Sequence, residues 1–285
     1  MRMRDLLPRR VRGPLGAAGR RAFAALAGPL QPAVAPGSVV ALCHCHYHDL
    51  VPELAGLLRA LPRGAAVHLS SADPAVFSAW ERRWRGARAP IRFHPTENRG
   101  RDLLPFITVA RSLDLAPDVV VLKVHGKRSA YTAAGSWWRR DTLRSLLPGP
   151  FAVRRILARF AADPRLALLG APGSVLGHPV YWGRNRDNVA ALMHTLTGAD
   201  THDDDLAFVA GSMFWIRGAY LSALLPRLDP TRFEPEPIGQ DGSYAHAVER
   251  VIGLAALAWG WHIGEVDVPE PLSPDAVRHR RLRYL

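Results

Sequence analysis

The stretch Val119–Lys127, VVVLKVHGK, decides the fold. Four apolar, mostly β-branched residues follow Pro117-Asp118 and give way to Lys-Val-His-Gly-Lys. A continuous apolar run of this kind reads as a buried central strand of an α/β sheet. Side chains alternate along a strand, so Lys123, His125 and Lys127 share one face at its carboxyl end. Ligands of open α/β sheets sit at the carboxyl ends of the strands. Three basic groups aimed there suit an anion, most simply a phosphate or diphosphate. The same residues also fit a strand that ends in solvent with ordinary surface lysines; the flanking motifs favour a site.

Towards the N-terminus, Val39–Cys45 (VVALCHC) reads as the first core strand. His44, His46 and His48 then share a face, a spacing that can hold zinc or line a ligand crevice; Asp49 faces away. A helix is expected over Asp49–Leu61, a second strand over Ala65–Leu69, a helix over Val76–Arg85 and a third strand over Ile91–His94. The segment PTENRGRD, residues 95–102, follows and leads into an apolar helix, Leu103–Leu113. Asp102 suits the cap of that helix and Pro105 its first turn. Arg99 and Arg101 bracket Gly100 beside the anion crevice, with Asn98 preceding them.

Towards the C-terminus, residues 129–138 read as a polar and aromatic loop, followed by helices through Leu147 and over Phe151–Ala162. Arg165–Gly170 is a strand, 171–187 a Gly/Pro-rich loop and Asn188–Leu196 a helix. Asp203-Asp204-Asp205 suits a hard cation or a plain acidic loop. Phe208–Arg217 (FVAGSMFWIR) is a strand broken at Gly211-Ser212, where small residues let a ligand approach the backbone. The loop PEPIGQDG (235–242) precedes a helix over Ser243–Trp259 with a buried stripe of Ala245, Val248, Ile252 and Ala255. His246, Glu249 and Arg250 lie on another face of it, with Glu249 and Arg250 expected as an ion pair.

A chain of 285 residues, 48% hydrophobic, can bury the core of one large α/β domain. The net charge of +12 favours anionic partners, although the abundance of Arg, Ala, Gly and Pro is also what GC-rich coding produces. No basic helix with interleaved aromatics is present, so nucleic acid is not an expected partner. Cys43 and Cys45, at i and i+2 on a strand, cannot comfortably bridge, which fits a reducing, cytoplasmic compartment. No run approaches a membrane span and no signal peptide is expected. The domain organisation expected is a basic arm over 1–37, a single domain over 38–268 and a basic tail over 269–285. The arm's charge is compatible with peripheral contact with an anionic membrane at the inner face of the plasma membrane.

The segments HCHYHDL (44–50), NRGRDLLPF (98–106), LKVHGKRS (122–129), Trp138-Arg139, FVAGSMFWIR (208–217) and GQDGSYAHAVER (239–250) occur in this order. Together they resemble the rhamnan synthesis protein F family, read as glycosyltransferases of cell-surface polysaccharide assembly. His48 stands where the family usually has proline, and Gly126 where it tends to have threonine. The resemblance implies an α/β, GT-A-like Rossmann-type sandwich with a mostly parallel central sheet and helices on both faces. Its nucleotide-sugar half would span about 38–128 and its acceptor half about 129–268. Where such enzymes carry Asp-x-Asp and a divalent metal, this chain has Lys123-Val124-His125-Gly126-Lys127. Lys123, His125 and Lys127, assisted by Arg99 and Arg101, would then meet the donor diphosphate without a cofactor; the alternative is a divalent metal such as Mg or Mn.

The donor first expected is dTDP-rhamnose, the acceptor a glycan or lipid-linked glycan, and the outcome inverting. Asp241 is the expected base, with Glu236 in reserve. His44, Tyr47, Asn98, Gly100, Asp102, Gly211, Ser212, Gln240, His246, Glu249 and Arg250 are the further expected substrate contacts. The competing reading is a non-catalytic glycan-binding module of a synthesis complex.

Overall fold

The computed structural model describes residues 38–126 and 135–282, which fall in one compact unit of the chain. The basic arm 1–37, Lys127 and the rest of 127–134 lie outside the described residues. In chain order the first half alternates strand and helix: β1 (Val39–His44), α1 (Val51–Leu58), β2 (Ala66–Ser71), α2 (Pro74–Trp84), β3 (Ile91–Pro95), α3 (Leu103–Arg111) and β4 (Val120–His125). Two helices follow, α4 (Gly135–Leu146) and α5 (Pro150–Ala162), then β5 (Leu166–Gly170), β6 (Val175–Leu176), α6 (Arg186–Thr197), β7 (Phe208–Val209) and β8 (Phe214–Arg217). The chain continues through α7 (Gly218–Leu224), α8 (Tyr244–Ala258), β9 (His262–Glu265) and α9 (Pro274–Val277).

Among the described residues the main sheet has seven strands in the order β3-β2-β1-β4-β8-β5-β9. The pairs among β1 to β4 and the pair β5–β9 are parallel, and β8 alone runs antiparallel to both its neighbours. The fold is thus α/β with a mostly parallel, Rossmann-like sheet, as expected. The chain winds outward from β1 to β3 and then returns to place β4 on β1's other side. The carboxyl ends of β1 and β4 therefore flank the point where strand order reverses, the usual place for a ligand crevice.

Alternation along the strands builds a core on each face. Val40, Leu42, Val119 and Val121 pack with α3 and α6 to α8; Val39, Ala41, Val120, Leu122 and Val124 pack with α1, α2, α4 and α5. Lys123 and His125 have the same parity as Val121, so both project under α3.

Three expectations are corrected. The segment Phe208–Arg217 is two strands: β7 pairs with β6 in a small separate sheet, and β8 enters the main sheet between β4 and β5. Consecutive left-handed residues, Gly211 at φ 83° and Ser212 at φ 47°, cannot continue a strand. The 171–187 segment is not loop throughout, since it holds β6 and a 3₁₀ segment, Pro179–Asn185. The stretch expected as a basic tail packs on the domain over its described residues, to 282. Val277 and Leu282 are buried, and Arg280 bonds at 2.8 Å to Glu265, which is only 1% exposed. An arginine-rich run reads as surface, but one buried carboxylate draws it onto the domain.

Helix α8 is buried far beyond the expected stripe because it packs against both α6 and β7. Gly253 permits this: a Cβ there would lie 2.2 Å from the Ala207 carbonyl oxygen. Gly253→Ala should therefore destabilise the domain by about 1–3 kcal/mol through overpacking, despite alanine's better helix propensity. Chemical denaturation tests this, and an unchanged or raised midpoint would refute the close approach.

Candidate functional site

A cleft of about 620 Å³ opens at the carboxyl ends of β1 and β4. His44 and His125, register partners on these strands, line its base, with Gly126, His46 and Tyr47 beside them. The loop before α3 contributes Asn98, Arg101 and Asp102; the segment before α8 contributes Glu236 and Gln240; α8 itself contributes His246 and Glu249; Ser212 comes from the turn between β7 and β8.

The base of the cleft is built around Asp102. It stands at the N-cap position of α3 but makes no cap hydrogen bond with its side chain. Its Oδ2 instead accepts from the Lys123 ammonium and, at 2.9 Å, from Ser212 Oγ, with His125 Nε2 3.6 Å away. Burial alone would raise this carboxyl; His125 and Lys123 outweigh it and hold Asp102 well below the usual carboxylate range. Lys123 also donates to the Ser212 carbonyl at 2.6 Å and lies 5.4 Å and 5.7 Å from the Phe106 and Phe214 ring centroids. His125 Nε2 donates to the Gly211 carbonyl at 2.9 Å.

Lys123 is therefore corrected from a crevice cation to a buried counter-ion, 1% exposed. Its strand position was legible, but the carboxylate that neutralises it comes from another segment. Arg99 is also corrected: it donates to the carbonyls of Phe233 and Thr231, pinning the 231–235 segment, and does not line the cleft. Gly100, at φ 63°, bonds Glu234 O through its N–H, and a Cβ on it would meet Phe233 at 2.5 Å. Arg101 does reach the cleft; its N–H bonds Glu236 Oε1 at 3.0 Å and its guanidinium bonds Ile238 O at 2.8 Å.

Asp241, the expected base, does not line the cleft. Its Oδ2 accepts the Arg184 N–H at 2.8 Å, and its Oδ1 accepts from Asn185 Nδ2 and, at 3.4 Å, from Arg250. Arg250 further bonds Tyr181 O at 2.7 Å, so it braces the wall rather than the ligand space. Glu249 and Arg250 do not serve as the expected pair. Glu249 Oε1 accepts the Gly211 N–H at 2.7 Å, and Oε2 has no protein donor among the described residues. His246 bonds Ser243 Oγ through Nδ1 at 2.7 Å, and burial lowers its pKa, so it is largely neutral at pH 7.

The histidine triplet is corrected as well. His44 and His46 line the cleft, but His48 is exposed in a 3₁₀ turn, Asp49 following it. Among the described residues no group of three or more His, Cys, Asp or Glu is placed to hold a metal ion. In place of a ligand set there is a polar seam across the sheet, which the sequence reading missed. His44 Nδ1 bonds Ser70 Oγ at 3.0 Å, and His68 Nδ1 bonds His94 Nε2 at 2.9 Å. Burial pushes His44 down to about 3 and, with His94 and Arg92, His68 to about 4. The signal was present: polar residues recur at alternate positions in β2 (His68, Ser70), β3 (Arg92, His94) and β4 (Lys123, His125), with His44 of β1 at the same level of the sheet.

A sequence model of rhamnan synthesis protein F matches residues 28–261, a span that includes every cleft residue named above. The chain belongs to this family. It is also similar to "Uncharacterized protein WxcX" from two strains of Xanthomonas campestris pv. campestris, B100 and ATCC 33913. Each is 39% identical over 187 residues, covering 64% of this chain and 26% of the relative. The chain thus spans about a quarter of the length of the curated relatives it matches.

Two outcomes follow from the buried charges. Lys123→Met leaves Asp102 without its counter-ion and should cost about 3–5 kcal/mol in chemical denaturation; a loss below about 1 kcal/mol would contradict the buried pair. His44 and His68 stay neutral in the folded state while the unfolded chain takes up protons below the usual imidazole value of 6.5. Stability is therefore full above that pH and falls as pH drops towards about 4. The denaturation midpoint should be lower at about pH 5 than at neutrality, and His68→Gln should narrow the gap; equal midpoints in the unmodified chain would contradict the neutral seam.

Proposed function

We propose that this chain is a glycosyltransferase domain that moves a sugar from a nucleotide-sugar donor to a growing cell-surface glycan. One observation carries the reading: in a polysaccharide-synthesis family, the cleft lies at the strand-order reversal of a Rossmann-like sheet and carries a carboxylate with one oxygen anchored and the other open. dTDP-rhamnose is the first donor to test, and a free or lipid-linked glycan the acceptor.

The acceptor hydroxyl oxygen attacks the anomeric carbon as the bond from that carbon to the diphosphate oxygen breaks, with inversion. Glu249 takes the hydroxyl proton on Oε2, while Oε1 stays on the Gly211 N–H. Asp102, held strongly acidic, is a poor proton acceptor and serves binding instead. Arg101, whose side chain is 42% exposed, offsets charge on the leaving group from outside the space that holds the sugar, and the reaction needs no divalent metal. Among the described residues no helix is long and apolar enough to cross a membrane; a cytoplasmic site of action, peripheral to the membrane, is part of the proposal.

A non-catalytic glycan-binding module is the second reading. The carboxylates of the cleft favour it: among the described residues Asp102, Glu236 and Glu249 line it with Arg101, while Lys123 is buried beneath against Asp102. Thermal shift with dTDP-, UDP- and GDP-sugars separates the two, and stabilisation by none of them would defeat the transferase. Glu249→Gln keeps an acceptor for the Gly211 N–H, so it should bind donor normally and lose transfer about 10²–10⁴-fold. Full activity in that variant removes Glu249 as base, and loss of activity on chelation, restored by Mg²⁺ or Mn²⁺, removes metal independence.

A further inference from the structure

The charges of the cleft do not match those of a diphosphate pocket. Lys123 is bound by the Asp102 carboxylate and the Ser212 carbonyl, so its charge is compensated within the protein. Arg101 lies 3.7 Å from Glu236 and donates to two backbone carbonyls, Ile238 O and Gly239 O. With Glu249 added, the described cleft opposes an entering diphosphate with like charge.

The same groups suit neutral hydroxyls. Asp102 uses Oδ2 for Lys123 and Ser212, and its Oδ1 has no protein donor among the described residues. The side chain keeps 14% exposure at the cleft. An ionised carboxylate accepts from two sugar hydroxyls more strongly than a neutral group does. Asn98 and Gln240 line the same space and carry both donors and acceptors for the remaining hydroxyls. Three links hold Asp102 in place: Lys123, Ser212 and the first turn of α3. Such bracing fixes the direction of a binding group.

Resting on the transferase reading, the geometry points to the described cleft as a saccharide subsite in which Asp102 holds the hydroxyls of an uncharged sugar ring, positioned by Lys123, with the donor's phosphates lying outside it. Burial would raise the Asp102 carboxyl, but its basic neighbours keep it ionised across the physiological range, so this grip does not weaken in mild acid.

Saturation-transfer NMR on the full chain tests this, with methyl α-rhamnoside and a short neutral oligosaccharide as probes and inorganic pyrophosphate as competitor. The saccharide signal should persist in excess pyrophosphate and at raised salt. Asp102→Asn should weaken saccharide binding about tenfold or more and leave nucleoside diphosphate binding unchanged. Because that variant leaves Lys123 buried and unpaired, Asp102→Asn with Lys123→Met is the companion that removes both charges. Displacement of the saccharide by pyrophosphate, or unweakened saccharide binding in the double variant, overturns the subsite. Saccharide binding that depends on Asp102, with no affinity for any nucleotide sugar, upholds the subsite and defeats the transferase. Nucleotide-sugar binding and transfer that are indifferent to Asp102 do the reverse.

Discussion

A buried ammonium must find a carboxylate, and the site is organised by how Lys123 meets that demand. The lysine sits on β4 between Val121 and His125 on the same face, beneath a helix that presents Phe106. An uncompensated charge there would cost several kcal/mol. Asp102 supplies the compensation, and Ser212 is tied to both members of the pair. One ion pair thereby joins three segments far apart in sequence: the loop before α3, the end of β4 and the turn between β7 and β8.

Backbone strain gathers around the same pair. Arg101 (φ 58°) and Ser212 (φ 47°) are the non-glycine residues with left-handed backbone among those described, and each follows a left-handed glycine. Such conformations cost roughly 1–3 kcal/mol each and persist where the surroundings over-determine them. Here a carboxylate holds each turn by a backbone N–H: Glu236 at Arg101 and Glu249 at Gly211. Both carboxylates also line the cleft, so the groups that shape the turns also form its wall. Substitutions at these positions couple loop geometry to binding, and isosteric amides separate the two effects better than alanine does.

Beside the ion pair, the α3-covered face of the sheet carries histidines and a serine where a sheet of this class usually buries aliphatic residues. Burial keeps these imidazoles neutral, and their mutual hydrogen bonds meet the demand that buried polar groups be satisfied. The family match spans this seam and the cleft together. The curated relatives extend well beyond the region shared with this chain.

Local pattern determined a good deal by itself. Apolar runs with β-branching, separated by helical periodicities, fixed β1 to β5 and the helices between them, because burial on two faces or one stripe leaves a periodic mark. The family motifs marked the segments that supply the cleft. Tertiary structure decided which charges are available. Lys123 and Arg99 read as anion ligands, yet one is neutralised by Asp102 and the other spends its donors on the carbonyls of Phe233 and Thr231. Asp241 read as a base and is absorbed by Arg184, Asn185 and Arg250. A side chain's partner is chosen by proximity in space across more than a hundred residues of chain in some of these cases, and no local spacing encodes that. The same reason hid β9 and the docking of the C-terminal segment on Glu265, where a single buried carboxylate outweighs a run of surface-like arginines.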